Sequence, residues 1–457
     1  MATDLMISIS GVRGIVGKSL TPELLVRLGG AFGTYIHGGT VVVGRDTRTT
    51  GEMVKHATLG GLLATGCRVI DIGTVATPTL TLMIKHLRAD DGVMISASHN
   101  PVEWNALKFF RADASYLNAQ DARDLLDIYY SGNYEHVSHD KIRDVRQNPH
   151  SHALHVDAVL NQIDVSAVRK RRFKVALDTV NGSGIFGARI LLEQLDCEVY
   201  ELNTQPDGKF QRYPEPSFVG LSDLMAFCKT NTVDIGCALD PDADRIAFVD
   251  ETGGFIGEEL SLALCADHIF ARCKAKGIAT GPMVVNMSTS RVNEDVANRY
   301  GVELLRVPVG EVNVAETMAQ QHSIIGGEGN GGVIYGPVHY GRDALVGIAL
   351  MLEKMALSGE TVSALRAGLP QYQIVKSKIE CPKTAARRII VGIAENYTNA
   401  SARVNTSDGL RIDYPDRWVH LRPSNTEPIL RVIAEAKTVE DANALIEEWR
   451  IRIEKEI

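Results

Sequence analysis

The sequence predicts an α/β protein: three similar α/β domains with mixed, mostly parallel sheets, followed by a smaller C-terminal α+β domain. Three features of its 457 residues carry that expectation. Short apolar runs alternate with helical stretches in a βαβαβ order, and the order recurs three times in units of about 100 residues, far longer than the repeat of a stacked array. In each unit the last strand opens into the most polar loop, which is where parallel strands joined by helices collect functional groups. After residue 370 the runs lengthen into amphipathic strands around a Pro415-Asp416 turn and close on a helix.

In the first unit, strands are expected at 40–43 before Gly44-Arg45-Asp46-Thr47-Arg48, at 68–72 before Gly73, and at 93–95 before Ser96-Ala97-Ser98-His99-Asn100-Pro101. A helix is expected over 52–65, where apolar and small residues recur at three and four. The second unit has strands at 174–177 before Asp178, 198–202, and 234–239 before Asp240-Pro241-Asp242-Ala243-Asp244-Arg245. The third has them at 283–285, 303–307 before Pro308-Val309-Gly310-Glu311, and 323–325 before Gly326-Gly327-Glu328-Gly329-Asn330-Gly331-Gly332. The last unit reads as strands at 410–414, 418–421 and 429–435, then a helix from Thr438, whose hydroxyl and Asp441 suit a capping box. The units are expected at 1–153, 154–254, 255–369 and 370–457.

Composition narrows the class. At 45% hydrophobic and 23% charged residues the chain has the balance of a soluble globular protein. A formal net charge of −8, with no long basic run, argues against nucleic-acid binding through phosphate contacts while leaving room for a local anion pocket. Seven cysteines, odd in number and without a C-x-x-C pair, signal buried thiols rather than disulfides or zinc. No basic start followed by an apolar stretch and no run of apolar residues long enough to span a bilayer occur, so a cytoplasmic protein without membrane contact is expected.

The polar loops carry the chemistry. Ser98 followed by His99 invites a hydrolase reading, but neighbouring side chains diverge from an extended backbone and no G-x-S-x-G elbow is present. Asp240, Asp242 and Asp244 alternate with Pro241 and Ala243, so an extended backbone would aim three carboxylates to one side, where they need a divalent cation. A calcium loop ending at Glu251 fails, because Arg245 stands where the EF-hand needs glycine and 246–249 reads as a strand. Glu328 and Asn330 on a glycine-rich loop suit sugar hydroxyls. Arg422-Pro423-Ser424-Asn425-Thr426-Glu427-Pro428 offers the donors a phosphate wants. The loop 44–48 reads equally well as a salt-bridged loop or as part of a site.

Four of these motifs, Ser-Ala-Ser-His-Asn-Pro, Asp-Pro-Asp-Ala-Asp-Arg, Gly-Glu-Gly-Asn-Gly-Gly and Arg-Pro-Ser-Asn-Thr-Glu-Pro, come in the order found in the α-D-phosphohexomutase superfamily, and the chain resembles that family over essentially its full length. The resemblance implies a central cleft between the four domains, a phosphoserine at Ser98, and one Mg²⁺ per chain held by Ser98, Asp240, Asp242 and Asp244. It also implies catalytic roles for Arg13, Lys108 and Arg245, sugar binding by Glu328 and Asn330, and binding of the non-transferring phosphate by Arg422, Ser424, Asn425 and Thr426. The implied reaction interconverts 6-phospho and 1-phospho sugars, with a hexose or hexosamine 1,6-bisphosphate as activator and a monomer or homodimer as the working unit. Glucosamine phosphate is the expected sugar, and phosphoglucose or phosphomannose the alternative; a silent sugar-phosphate sensor and a phosphatase are the rivals in kind. A 2-amino group on Glu328 would gain a charge-assisted hydrogen bond worth roughly 1.5–3 kcal/mol. Many relatives end the sugar loop in histidine where this chain has Gly332, and His339 is the nearest histidine that could replace it if the loop folds back.

Overall fold

The computed structural model describes residues 5–8, 11–397, 401–424 and 428–456. Its first sheet contains β1 (Met6–Ser8), β2 (Gly11–Ile15), β3 (Thr40–Arg45), β4 (Arg68–Thr74), β5 (Asp91–Ile95), β6 (Trp104–Arg111) and β7 (Arg146–Gln147), in the order β1-β2-β6-β5-β3-β4-β7. The strands β5, β3, β4 and β7 run parallel, while β1, β2 and β6 pair antiparallel at one side. The valines of β3 are buried, as a parallel strand covered on both faces requires. Sequence periodicity missed β2 and β6 as strands: Trp104-Asn105-Ala106-Leu107-Lys108 does not alternate, because polar Asn105 and Lys108 also point inward.

The helix Pro22–Tyr35 starts as its sequence dictates, with Thr21 Oγ accepting from Leu24 N and proline in its first turn. It packs backbone to backbone on Gly51–Ala64: a Cβ at Gly29 would lie 2.4 Å from Thr58 O, and one at Gly61 2.1 Å from Val26 O.

The second sheet has β8 (Lys174–Asp178), β9 (Glu198–Leu202), β10 (Ile235–Leu239) and β11 (Ile246–Val249), ordered β11-β10-β8-β9. The third has β12 (Met283–Asn286), β13 (Leu304–Val307), β14 (Ile325–Glu328), β15 (Gly332–Tyr335) and β16 (His339–Arg342), ordered β13-β12-β14-β15-β16. Both are parallel except at the side where a hairpin returns through β11 or through β15 and β16. These two sheets share one hydrophobic core, threaded by the helix Ala344–Ser358, whose residues are buried almost all round. The fourth sheet is wholly antiparallel: β17 (Gln373–Glu380), β18 (Arg403–Asn405), β19 (Leu410–Asp413), β20 (Trp418–Pro423) and β21 (Ile429–Ala436), ordered β17-β21-β20-β19-β18. It packs its own core, Trp449 included, under the helix Val439–Glu454. The Thr438 cap forms only half of the expected box: its oxygen accepts from Asp441 N, and it is the Thr438 hydroxyl, not the Thr438 amide, that donates to the Asp441 carboxylate. The seven cysteines are all free, and six are buried.

Candidate active site

The chain leaves β5 at Ile95 and turns sharply at Ser98, a residue in the left-handed region with φ of 49°. Arg48 holds this turn. Its guanidinium donates to the carbonyls of Ser98 (2.6 Å), Asn100 (2.8 Å), Pro101 (2.6 Å) and Trp104 (2.9 Å), and pairs with Asp46 at 3.1 Å. Loop 44–48 is therefore the scaffold of the serine loop. Ser98 lines the cleft yet is only 6% exposed, more enclosed than a serine at the mouth of a strand suggests. The same turn corrects the reading of His99. Instead of diverging, the pair is brought together, with Ser98 Oγ 3.4 Å from His99 Nδ1. Burial, then Arg245 and Arg13, push the His99 imidazole down to about 3, so it is uncharged at neutral pH.

The loop after β10 faces this serine. Its carboxylates converge because residues 240–244 form a turn, with Ala243 left-handed at φ 53°, rather than through the extended backbone expected. Asp240 Oδ1 accepts from the amides of Asp244 and Arg245, and Asp240 Oδ2 accepts from Ser98 Oγ at 3.1 Å. Asp242 Oδ2 takes Lys108 Nζ and Thr77 Oγ, each at 2.6 Å, and Asp244 Oδ2 takes Arg342 Nη2. The three side chains are fully buried, and each offers a ligand atom within 4.8 Å of the others. Asp242 Oδ1 and Asp244 Oδ1 are buried without any hydrogen-bond partner. Burial, then the Asp244 and Asp242 charges, drive the Asp240 carboxyl well above its ordinary range. Burial opposes the Asp242 charge too, but Lys108 and Thr77 outweigh it and hold that carboxyl low. Unpartnered inward oxygens beside a carboxylate forced toward neutrality are what a hard divalent cation would satisfy, so the donor set fits a metal.

A cavity of about 890 Å³ opens over the serine, lined by Arg13, Ser98, Lys108, Arg245, Glu328 and Asn330 among others. Arg13 reaches it from β2 and donates to Asn100 Oδ1 at 3.0 Å; Arg245 is braced by Glu215 at 2.6 Å. Glu328, at the end of β14, is already engaged: Oε1 accepts from Asn286 Nδ2 (2.8 Å) and Gly310 N (3.2 Å), and Oε2 accepts from Arg342 Nη1 (2.8 Å). Burial opposes its charge, but Arg342 and Asn286 keep its carboxyl below the usual range. Asn330 Oδ1 is buried with no partner.

Sequence reasoning marked Arg48 only as the end of a loop that reads equally well either way, and it missed Thr77, Glu311 and Arg342 as parts of this site, because the groups they bond lie far along the chain. His339 does not replace the sugar-loop histidine. It is 4% exposed, neither at the surface nor lining the cavity, and its Nε2 sits 3.0 Å from Asp343, which His155 also meets at 2.7 Å. The hydroxyls of Thr79 and Thr81 approach the far nitrogens of these rings, so the cluster ties the helix Thr77–His86 to the third sheet. On the last sheet Arg422 pairs with Asp408 at 2.9 Å and Ser424 N bonds Ile429 O; neither residue lines the cavity. Asn425 and Thr426 lie outside the described residues.

Fold and cleft together define a class: a four-unit α/β protein in which a serine from the first unit, a carboxylate triad from the second and a glycine-rich loop from the third meet around fixed cations. Models of phosphoglucomutase/phosphomannomutase α/β/α domains I, II and III match residues 6–135, 153–254 and 258–372, and that of the C-terminal domain matches 376–451. The chain belongs to the phosphoglucomutase/phosphomannomutase family, within the α-D-phosphohexomutase superfamily. It is 37% identical to a protein of Methanopyrus kandleri named probable phosphoglucosamine mutase, over 96% of each chain. It is also 37% identical to a phosphoglucomutase/phosphomannomutase of Thermococcus kodakarensis, again over 96% of each. A phosphoglucosamine/phosphogalactosamine mutase of Sulfurisphaera tokodaii is 34% identical over 97% of this chain and 98% of its own. Among solved structures, a family protein of Burkholderia thailandensis superposes with a TM-score of 0.85 at 27% identity, covering 99% of this chain and 98% of that one. Among the described residues no helix is long and apolar enough to cross a membrane.

Proposed function

We propose that this chain is a phosphohexomutase that interconverts 6-phospho and 1-phospho sugars through a phosphoserine at Ser98 and a 1,6-bisphosphate, with glucosamine phosphate as its preferred sugar. The observation that carries the proposal is Ser98 Oγ standing 3.1 Å from Asp240, beside a triad that keeps two buried carboxylate oxygens without a hydrogen bond. Asp240, Asp242, Asp244 and phosphorylated Ser98 would hold Mg²⁺, which supplies neutralisation of charge on the transferring oxygens. The P–O bond to Ser98 breaks as one forms to a hydroxyl of the sugar monophosphate, and Ser98 Oγ takes up the proton that this hydroxyl releases. Reversal at the other phosphate restores the phosphoserine. Lys108, fixed on Asp242, faces the reacting oxygen, while Arg13 and Arg245 balance the phosphoryl charge. Arg422, Ser424, Asn425 and Thr426 grip the phosphate that is not transferred, and closure of the fourth unit would bring them to the cleft and exclude water. Glu328 and the unpartnered Asn330 Oδ1 accept from sugar hydroxyls or a 2-amino group. Relatives named for glucosamine phosphate favour the amino sugar, and the equal identity of the Thermococcus protein favours dual glucose and mannose specificity as the second reading.

Intact mass and peptide mapping of purified protein test the first step, with phosphate expected on Ser98. A coupled assay should show mutase turnover that needs Mg²⁺ and rises with a hexose 1,6-bisphosphate. Phosphate only at another residue with Ser98→Ala fully active would sink the proposal. Binding without turnover would mark a sensor, and release of inorganic phosphate at comparable rates a phosphatase.

A further inference from the structure

Arg342 is a buried cation with three anionic partners: Asp244 from the loop after β10, Glu311 from the start of the helix Glu311–Gln320, and Glu328 from the end of β14. It is the last residue of β16, and its backbone is fixed on both sides. Its amide donates to Glu311 Oε1 at 2.9 Å, and the next residue, Asp343, caps the helix Ala344–Ser358 and receives His155 and His339. Its guanidinium then spans Asp244 Oδ2 (2.5 Å), Glu311 Oε2 (3.1 Å) and Glu328 Oε2 (2.8 Å). A fork with this many donors in one rigid plane can hold three carboxylates at set angles; an ammonium cannot. One side chain thus links the metal-ready loop to the sugar-ready loop.

The second observation is steric. A Cβ at Gly332 would lie 2.2 Å from Arg342 Cδ and 3.0 Å from its Cγ, with Asn330 Oδ1 at 3.1 Å. Gly332 opens β15 without the positive φ that would call for glycine, so the conflict lies with the arginine side chain and not with the backbone. The contacted carbons are the middle of a side chain pinned at its far end by three ion pairs, and they have nowhere to swing. The space for a side chain at position 332 is already taken.

We propose that Arg342 is a positioning residue that fixes the aspartate-triad loop against the Glu328 loop, and that glycine at 332 is the condition for its presence. This rests on the mutase reading. Its role is one of position only: a guanidinium keeps its proton at any working pH, so proton transfer to the sugar oxygen falls to other groups in the cleft.

The experiment is a double-mutant cycle of Gly332→His and Arg342→Ala, with Gly332→Ala as a milder partner, read as kcat and KM for glucosamine and glucose 1-phosphates and as the thermal midpoint. In the wild-type background Gly332→His and Gly332→Ala should each lower kcat/KM by at least about tenfold; in the Arg342→Ala background, itself impaired, Gly332→Ala should cost less than about threefold further and Gly332→His less than it does beside Arg342. Part of the Arg342→Ala loss should appear in KM, which a merely structural loss of folded protein would leave unchanged. Equal losses in both backgrounds, or tolerance of Gly332→His beside an intact Arg342, would overturn the proposal. Should the wild type show no mutase turnover, the functional reading fails instead. The steric half is then still decided by the thermal midpoint, which Gly332→Ala must lower only when Arg342 is present.

Discussion

Replacing Arg48 tests whether the serine turn is held from beneath. Ser98 is left-handed, a conformation that costs a non-glycine residue on the order of 1–3 kcal/mol and persists only when its surroundings impose it. Arg48 imposes it through four carbonyls and Asp46, and it is itself 1% exposed. Lysine has one nitrogen and three donors, so it cannot span carbonyls on both sides of the loop while keeping Asp46. In Arg48→Lys the carbonyls of Ser98 and Asn100 should lose their donors and the loop relax by a fraction of an ångström to an ångström, a misplacement worth about 10²-fold in rate. The expected result is kcat lower by about two decades with KM within about threefold, since the cavity residues that contact substrate are untouched. Arg48→Ala additionally leaves Asp46 buried and unpaired, which should destabilise the protein by roughly 3–5 kcal/mol. Steady-state kinetics of folded Arg48→Lys, with phosphate occupancy of Ser98 by intact mass, decide the matter. A kcat within about threefold of wild type at full occupancy would falsify the scaffold role.

The other predictions concern metal, sugar and pH. Stripping divalent ions with a chelator should abolish turnover and Mg²⁺ restore it, whereas Asp242→Asn, which removes the partner of Lys108, should stay inactive at any Mg²⁺ concentration; recovery at high Mg²⁺ would show that the carboxylate is dispensable. Because Arg342 already balances Glu328, an amino sugar should gain there only an ordinary hydrogen bond of about 0.5–1.5 kcal/mol, less than the free carboxylate expected from sequence. Glu328→Gln should therefore slow all three sugar 1-phosphates and erode a glucosamine preference by no more than about tenfold. Equal losses for the three sugars would mean that Glu328 only anchors shared hydroxyls. Asp91, at the start of β5, is pushed up to about 7 by burial, then by Asp90, Asp121 and Asp113, with Arg111 opposing. Its folded form binds a proton more tightly than the unfolded chain, so stability should fall as pH rises from the ordinary carboxylate range, roughly 4, to about 7 and then level off. Thermal midpoints of Asp91→Asn should lack that decline, and parallel curves for the two proteins would refute the assignment.

What could be read from the residues alone was whatever local pattern encodes. The valines of β3, the serine loop, the aspartate triad and Thr438 at its helix start all announce themselves within a few positions. The triad also shows the limit: its identity was legible, but the carboxylates converge through a turn at Ala243 and not through an extended run. β6 escaped because inward-facing Asn105 and Lys108 break the alternation a strand usually shows. Arg48 was legible only within a loop of open meaning, and Arg342 not at all. Their meaning lies in carbonyls 50–56 residues away for one, and in carboxylates 14, 31 and 98 residues away for the other.

The hydrophobic core shared by the second and third sheets has a mechanical consequence. Two loops rooted in one close-packed body cannot drift apart as the molecule breathes, because such a body is bistable at most and hardly compressible. The span from triad to Glu328 is then a fixed gauge, and any opening of the cleft has to be accommodated at the flanking first and fourth sheets. Calorimetry should register the middle of the chain as one cooperative block, and a cut engineered between β11 and β12 should unravel both sheets instead of releasing two survivors.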